Sequence, residues 1–509
     1  MSAQAVDQVS GSAPHETNHP DLSGRASTYL LLLFGAVAAL FAVGGRWDIP
    51  AAAWIAPVLL LRFSRVSTRR VGLPAVWLVS VAAPLFWMQQ MMDTSIAPTK
   101  WTSVVGLVAA GTVLFIPYLV DRLLTERLGA LGRMMLFPLA WASAQYLVAV
   151  VSPFGTAYGL SAVSQRTYLG FLQVISVFGP FVIAFLIGWL ATAVNAQWES
   201  GWTRLHGREK YGALAAVLVV VGSVFLGGVR MAFFTTVSTP TVTIAGISPS
   251  PEARTWISGP PADRDAARPE FTAAQDDLLA ETRRAAGAGA KVVFWSENAA
   301  PVLDEDYEAL LDRAAVVARE EGIYLMVADR VYTPEGPGRD ETHLIDPEGA
   351  VRWSYEKMKP IPGLEDYKPG PGPVPVVDTP YGRIASVICY DADFPAIMHV
   401  DTDIMLIPGG EWPSIARTHT AMSSLRGVEN GYSVIRASFY GESGAFDYQG
   451  RMIAAKDTTG QGLHTLYADL PTRGVATIYR QVGDIFAWLS LAATIGLIGL
   501  GWLRPRADR

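Results

Sequence analysis

Hydrophobic positions in this chain come in long blocks. After a polar stretch at residues 1–27, apolar runs follow at about 28–45, 49–63, 73–92, 101–120, 134–152, 169–195 and 211–229, with an eighth at about 485–503. Most reach the roughly 20 residues that a helix needs to cross a bilayer. The second is short and reads as a tilted or re-entrant segment. The opening stretch is rich in Ser, Asp, His and Pro and lacks a basic segment joined to a cleavage site. It reads as a disordered tail and not a signal peptide.

Between the seventh and eighth blocks the rhythm changes. Over 233–481, short apolar runs alternate with helical periodicity, the pattern of an α/β domain. Val242–Ile247, Lys291–Trp295, Ile323–Val327, His343–Asp346 and Val351–Tyr355 read as strands. Phe271–Ala286 and Asp306–Glu321 read as amphipathic helices, the second stopped by Gly322. The run ending at Cys389, Ile404–Ile407 and stretches near 432–439, 445–448 and 451–455 complete the strands, around a helix at about 413–429. Some 250 residues can bury a sizeable core in one domain. Pro360–Pro380, dense in proline and glycine, predicts a long irregular loop, and such loops are uncommon unless functional.

Basic residues orient the blocks. Arg62, Arg65, Arg69 and Arg70 follow the second; Arg122, Arg127 and Arg133 follow the fourth. Arg204, Arg208 and Lys210 follow the sixth, and Arg504, Arg506 and Arg509 follow the eighth. The alternate loops carry Arg46, Lys100 and Arg166. Thirteen against three places both tails and the even-numbered loops in the cytoplasm. The expected organisation is a tail (1–27), a seven-helix bundle (28–232), an extracytoplasmic domain (233–481), a closing helix (482–503) and a short tail (504–509).

Composition agrees with a membrane protein: half the residues are hydrophobic and 17% are charged. The net charge of −6 comes without a basic stripe interleaved with aromatics, which excludes nucleic acid as a partner. One cysteine excludes an intramolecular disulfide, and no Cys/His cluster has metal-ligand spacing, so no metal or cofactor is expected.

That cysteine, Cys389, ends an apolar run and is followed by Tyr390 and Asp391. A free cysteine is more often a small buried hydrophobe than a nucleophile. Two other segments change the balance: Phe294-Trp295-Ser296-Glu297 upstream, and Tyr355-Glu356-Lys357 between. Glu, Lys and Cys at the ends of strand-like runs can serve as base, oxyanion stabiliser and thiol nucleophile. Each has a bland alternative: Glu297 as a helix cap, Lys357 as a solvated lysine. Glu365 and Glu429 are further carboxylates that read alone as salt-bridge groups. His399 and His419 read as surface or helix-end histidines, although either could pair with a thiol.

Together these segments resemble the nitrilase superfamily, which implies an αββα sandwich with a catalytic triad at Glu297, Lys357 and Cys389. The multi-span bundle, external domain and closing helix resemble the apolipoprotein N-acyltransferase branch, as do Phe137-Pro138-Leu139-Ala140-Trp141, Phe154-Gly155 and Tyr158-Gly159. By this resemblance Glu365 matches a second essential glutamate and Tyr390 the tyrosine beside the nucleophile. Asp391 stands where a glutamate is usual. Trp412 and Glu429 join the supporting residues. Ile361-Pro362-Gly363-Leu364-Glu365 and Pro408-Gly409-Gly410-Glu411-Trp412 depart from the usual wording. The resemblance implies transfer of a fatty acyl chain from a membrane phospholipid, through a Cys389 thioester, to the amine of a diacylated lipoprotein. It implies a monomer in the bacterial inner membrane. Competing readings are a membrane-anchored amidase or nitrilase, and a non-catalytic transporter or receptor with polar positions at Gln89, Gln90 and Gln145.

Overall fold

A computed structural model describes residues 22–92, 101–201, 207–234, 240–250, 261 and 263–504. Residues 1–21 of the expected tail, and 505–509, lie outside the described residues. Helix α1 (Leu22–Leu40) begins inside the remainder of that tail. It packs on α2 (Pro50–Val66), where Gly35 approaches Leu60. Then come α3 (Arg69–Met91), α4 (Trp101–Leu124) and α5 (Ala130–Val151).

The expected sixth block is not one helix. After a short α6 (Ser161–Ser164) that precedes it, the block breaks into α7 (Leu169–Leu172), α8 (Ile175–Phe178) and the long α9 (Phe181–Glu199). Gly179 with φ +77, followed by Pro180, ends α8, and a Cβ at Gly179 would lie 2.5 Å from the Tyr479 ring. α10 (Gly207–Phe233) leads to the α/β domain. Among the described residues, six helices are long and apolar enough to cross a membrane: α3, α4, α5, α9, α10 and the last one, Ile485–Leu503. Six of the eight expected blocks contain such a helix, and the first two correspond to α1 and α2. The 17 residues of α2 rise about 26 Å at 1.5 Å each, short of the roughly 30 Å hydrocarbon thickness.

Charged groups collect at one end of this bundle. Arg65 pairs with the fully buried Asp121 carboxylate at 2.7 Å and with Glu199 at 3.2 Å, and Arg122 donates to the Ser67 carbonyl. The α/β domain is joined at the opposite end.

That domain has two sheets. One contains β1 (Thr241–Ser248), β2 (Val292–Trp295), β3 (Ala300–Leu303), β4 (Tyr324–Tyr332), β5 (Arg339–Ile345), β6 (Val351–Glu356) and the late strand His464–Pro471. The other contains β7 (Val376–Thr379), β8 (Gly382–Ser386), β9 (Ile404–Gly410), β10 (Ser433–Phe439), β11 (Glu442–Phe446) and β12 (Met452–Asp457), paired in reverse chain order. The sheets pack through Ile244, Phe294 and Met326 on one side and Ile384, Leu406 and Ile435 on the other. Burying such a side chain contributes about 1.5–3 kcal/mol over leaving it exposed.

Helices α11 (Arg264–Gly287) and α12 (Tyr307–Glu321) cover the first sheet through Leu278, Leu310 and Trp295. α14 (Ala416–Asn430), after the short α13 (Pro395–Met398), covers the second. The order is α-β-β-α. Three strands differ from the sequence reading: β3 and His464–Pro471 were unexpected, and β7 occupies the end of the loop expected over 360–380. β8 also stops at Ser386, so Cys389 lies in a 3-10 turn (Cys389–Asp393) and not on a strand.

Apart from the exposed Arg417, α14 is almost entirely covered. Met422, Leu425 and Val428 pack against Phe171, Leu172 and Ile175 of the bundle. Short α15 (Ile478–Val482) then leads into α16 (Ile485–Leu503).

Candidate active site

Glu297, Lys357 and Cys389 come from three loops at the ends of β2, β6 and β8. Burial of those strands carries the side chains inward: Lys357 and Cys389 are each 1% exposed. Lys357 Nζ lies 2.5 Å from Glu297 Oε1, 2.8 Å from both Glu365 oxygens and 3.7 Å from Asp340 Oδ2. Burial alone would discharge this ammonium, but Glu297, Glu365 and Asp340 outweigh it and hold Lys357 firmly charged. Three carboxylates exceed one cation, and burial pushes Asp340 and Glu365 upward, with Glu297 adding to both shifts. Glu365 touches the lysine directly, a closer role than its place in the proline-rich loop suggested.

Cys389 has φ +47, a left-handed conformation that costs a non-glycine residue about 1–2 kcal/mol. Asp391 braces this turn. It accepts hydrogen bonds from Tyr355 Oη (2.8 Å), Lys359 N (2.7 Å) and Ile388 N (3.2 Å), tying the lysine loop to the cysteine turn. Burial raises Asp391 to about 6, against the nearby Lys357 charge and these bonds. Its contacts are internal, so it positions other groups.

The thiol donates to the Gly410 carbonyl oxygen at 3.6 Å. Burial pushes its pKa well up and Glu297 adds to that, while Arg436 and Lys357 pull it down. Arg436, from the middle of β10, was not anticipated. Its Nη2 lies 3.3 Å from Sγ, its Nη1 donates to the Cys389 carbonyl at 3.3 Å, and it pairs with Glu411. His419 follows, with Nδ1 3.0 Å from Glu411 Oε2 and Nε2 2.9 Å from Asp393 Oδ2. Burial opposes its charge, yet Glu411 and Asp393 raise it to about 9. His419 is therefore buried beside the Cys389 thiol, contrary to its reading as a surface or helix-end residue. His399 is exposed, its ring against Tyr479.

Glu429 is elsewhere: it pairs with Arg426 at 2.8 Å, and burial lifts it to about 7. Among the described residues, three acidic clusters have donor atoms near enough to share an ion: Cys389/Glu411/His419, Asp329/Glu341/His343 and Glu297/Asp340/Glu365. Each already contains its own cation, in Arg436, the His343 imidazolium and Lys357 respectively.

Next to the cysteine turn lies an apolar cleft that reaches Tyr390 and His419, although Cys389 itself does not line it. The bundle supplies Trp87, Met91, Leu107 and Phe154; the domain supplies Leu364, Tyr390, Trp412 and His419. Trp412 Nε1 donates to the Met91 carbonyl and Tyr390 Oη to that of Pro153, at 2.5 and 2.9 Å. Gly155, with φ +54, permits the close approach: a Cβ there would lie 2.6 Å from the Asp393 carbonyl oxygen, which accepts bonds from Thr156 N and Oγ1.

Residues 265–480 match the family model of the carbon–nitrogen hydrolases. The apolipoprotein N-acyltransferase of Geobacter metallireducens is 24% identical over 504 residues, covering 89% of this chain and 91% of that one. Over nearly its whole length the chain is thus similar to an apolipoprotein N-acyltransferase. A second such relative, from Caulobacter vibrioides, is 25% identical over 245 residues, 41% of this chain and 46% of that one. A formamidase of Bradyrhizobium sp. is 26% identical, but over 152 residues, 27% of this chain and 45% of that one. Among solved structures, an amidase from Nesterenkonia sp. aligns with a TM-score of 0.39 at 23% identity, covering 50% of this chain and 96% of that one. The likeness to the Geobacter acyltransferase runs through the membrane helices, whereas that to the formamidase spans about a quarter of the chain. This is a multi-pass membrane protein with a carbon–nitrogen hydrolase domain.

Proposed function

We propose that this protein is an N-acyltransferase of lipoprotein biosynthesis. A phospholipid donates the acyl chain, and the free amine of a diacylglyceryl-cysteine lipoprotein accepts it. The observation that carries the reading is the apolar cleft shared between bundle and domain at Tyr390, next in chain to Cys389: both substrates keep their acyl chains in the bilayer, and such a cleft can hold a chain against the cysteine turn away from water.

The chemistry runs in two halves. Glu297 takes the Cys389 proton and the thiolate attacks the ester carbonyl. Lys357 and the Tyr390 N–H stabilise the oxyanion. The C–O bond breaks, and the lysophospholipid leaves with the proton from Glu297. The lipoprotein amine then attacks the thioester, Glu297 receives its proton, and the thiolate is released and reprotonated. Exclusion of water by the cleft protects the thioester from hydrolysis.

The basic cluster lies at the bundle end remote from the domain, which supports an extracytoplasmic catalytic domain. The test is mass spectrometry of the full-length protein after incubation with phospholipid. A long-chain acyl mass on Cys389, discharged by a diacylated lipopeptide, is expected. No adduct, together with turnover of small amides, would favour an amidase.

A further inference from the structure

We infer that Arg436 is a catalytic residue, whose guanidinium carries the thiolate charge of Cys389 and is aimed by Glu411. The inference rests on Cys389 as the nucleophile and goes beyond the base, lysine and thiol already assigned.

The geometry is specific. Arg436 occupies the middle of β10, a strand buried along its whole length, and its side chain is fully buried. A guanidinium in such a place is costly unless it is paired. One Nη2 meets both Sγ of Cys389, at 3.3 Å, and the Glu411 carboxylate. Nη1 meets the Cys389 carbonyl at 3.3 Å, so the same fork also grips the backbone of the strained turn. A Cβ at Gly409 would lie 2.9 Å from Arg436 Nε, so a larger residue there would collide with the guanidinium.

The site is electrically two-sided. Lys357 is committed to three carboxylates on the Glu297 side. On the other side, Arg436 and protonated His419 balance Glu411 and Asp393. When the thiol proton moves to Glu297, the new negative charge lies next to Arg436. An opposite charge at this range lowers an acid's pKa by about 1–3 units. Glu411 works in reverse: its carboxylate repels the thiolate while holding Arg436 in line, which makes it a positioning residue. Arg436 and Glu411 therefore have opposite signs at the sulfur.

Because Cys389 is the sole cysteine, alkylation reports on it alone. Full-length protein in detergent is treated with iodoacetamide at pH 8, and the rate of mass gain is read by mass spectrometry. Arg436→Met should slow alkylation about tenfold or more, and Arg436→Lys should recover part of the loss. Glu411→Gln should accelerate it severalfold while slowing acyl transfer, because the charge is freed but no longer aimed. Wild-type alkylation in Arg436→Met would overturn the inference. If that variant fails to fold, Glu411→Gln decides: an unchanged or slower rate would mean that the cluster only braces the fold. Alkylation needs no lipid, so the result stands even if the acyl-transfer assignment fails.

Discussion

Lys357 and Glu297, 60 residues apart in sequence, form a 2.5 Å ion pair with 1% and 4% of their side chains exposed. The base of the proposed mechanism is thus bonded to its oxyanion stabiliser. Each proton that Glu297 accepts loosens its hold on the ammonium, which is then freer to turn toward an oxyanion. The two residues act as a unit.

Glu297→Gln should therefore block formation of the acyl adduct itself, since the buried thiol keeps its proton. Lys357→Met should slow both half-reactions by roughly 10²–10³-fold, the scale for losing one oxyanion donor. The double variant should be no worse than the more impaired single one. Burst and steady-state kinetics measure all three. Normal adduct formation in Glu297→Gln would move the base elsewhere, with His419 the first to test.

Cys389→Ser should bring adduct formation below detection while the protein still folds and inserts, because a hydroxyl is a far weaker nucleophile and the volume change is small. Turnover like wild type in the serine variant would remove Cys389 from the mechanism.

Stability should fall in alkali. His343 is opposed by burial but raised to about 9 by Asp329 and Glu341, and His419 reaches about 9 through Glu411 and Asp393. Both lie above the ordinary 6.5. The folded state therefore binds more protons than the unfolded one between these values. The stabilisation is complete below 6.5 and lost as pH rises through 9, about 3 kcal/mol for each histidine. Thermal unfolding in detergent at pH 6.5 and 9.5 should show a lower melting temperature at the higher pH. The slope should flatten in His343→Gln; an equal slope there would rule out that histidine as the source.

Orientation can be read on intact cells. The turn between β4 and β5 is exposed at Glu335. Glu335→Cys in a Cys389→Ser background should react with a membrane-impermeant maleimide from outside. Reaction only after lysis would put the domain in the cytoplasm.

Much of the fold was legible because two periodicities alternate cleanly in the sequence. The blocks that failed did so for local reasons. Gly179-Pro180 interrupts an apolar run without changing its hydropathy, so one expected helix became two short fragments and a shorter helix. Ala300–Leu303 is four residues with a proline inside, too short to read as β3. His464–Pro471 does alternate buried and exposed positions near its end, and that signal was available.

The site divides similarly. Glu297, Lys357 and Cys389 end apolar runs, which marks them in one dimension. Glu411, His419 and Asp393 meet only because β9, α14 and the cysteine turn converge, and helix α14 hides its faces because sheet and bundle bury nearly all of it. Arg436 left one trace: an arginine inside the apolar run Ser433–Phe439 needs a buried partner.

The cysteine turn hangs from the membrane bundle by bonds to its own members: Tyr390 to Pro153, Asp393 to Thr156, and nearby Trp412 to Met91. Cutting the chain at the last bundle helix would leave a domain with both its sheets, yet without the bundle's walls of the cleft and without the anchors of its cysteine turn. Bundle and domain therefore share one packed site, and a substitution on the bundle side, at Met91 or Pro153, bears directly on Trp412 or on the cysteine turn.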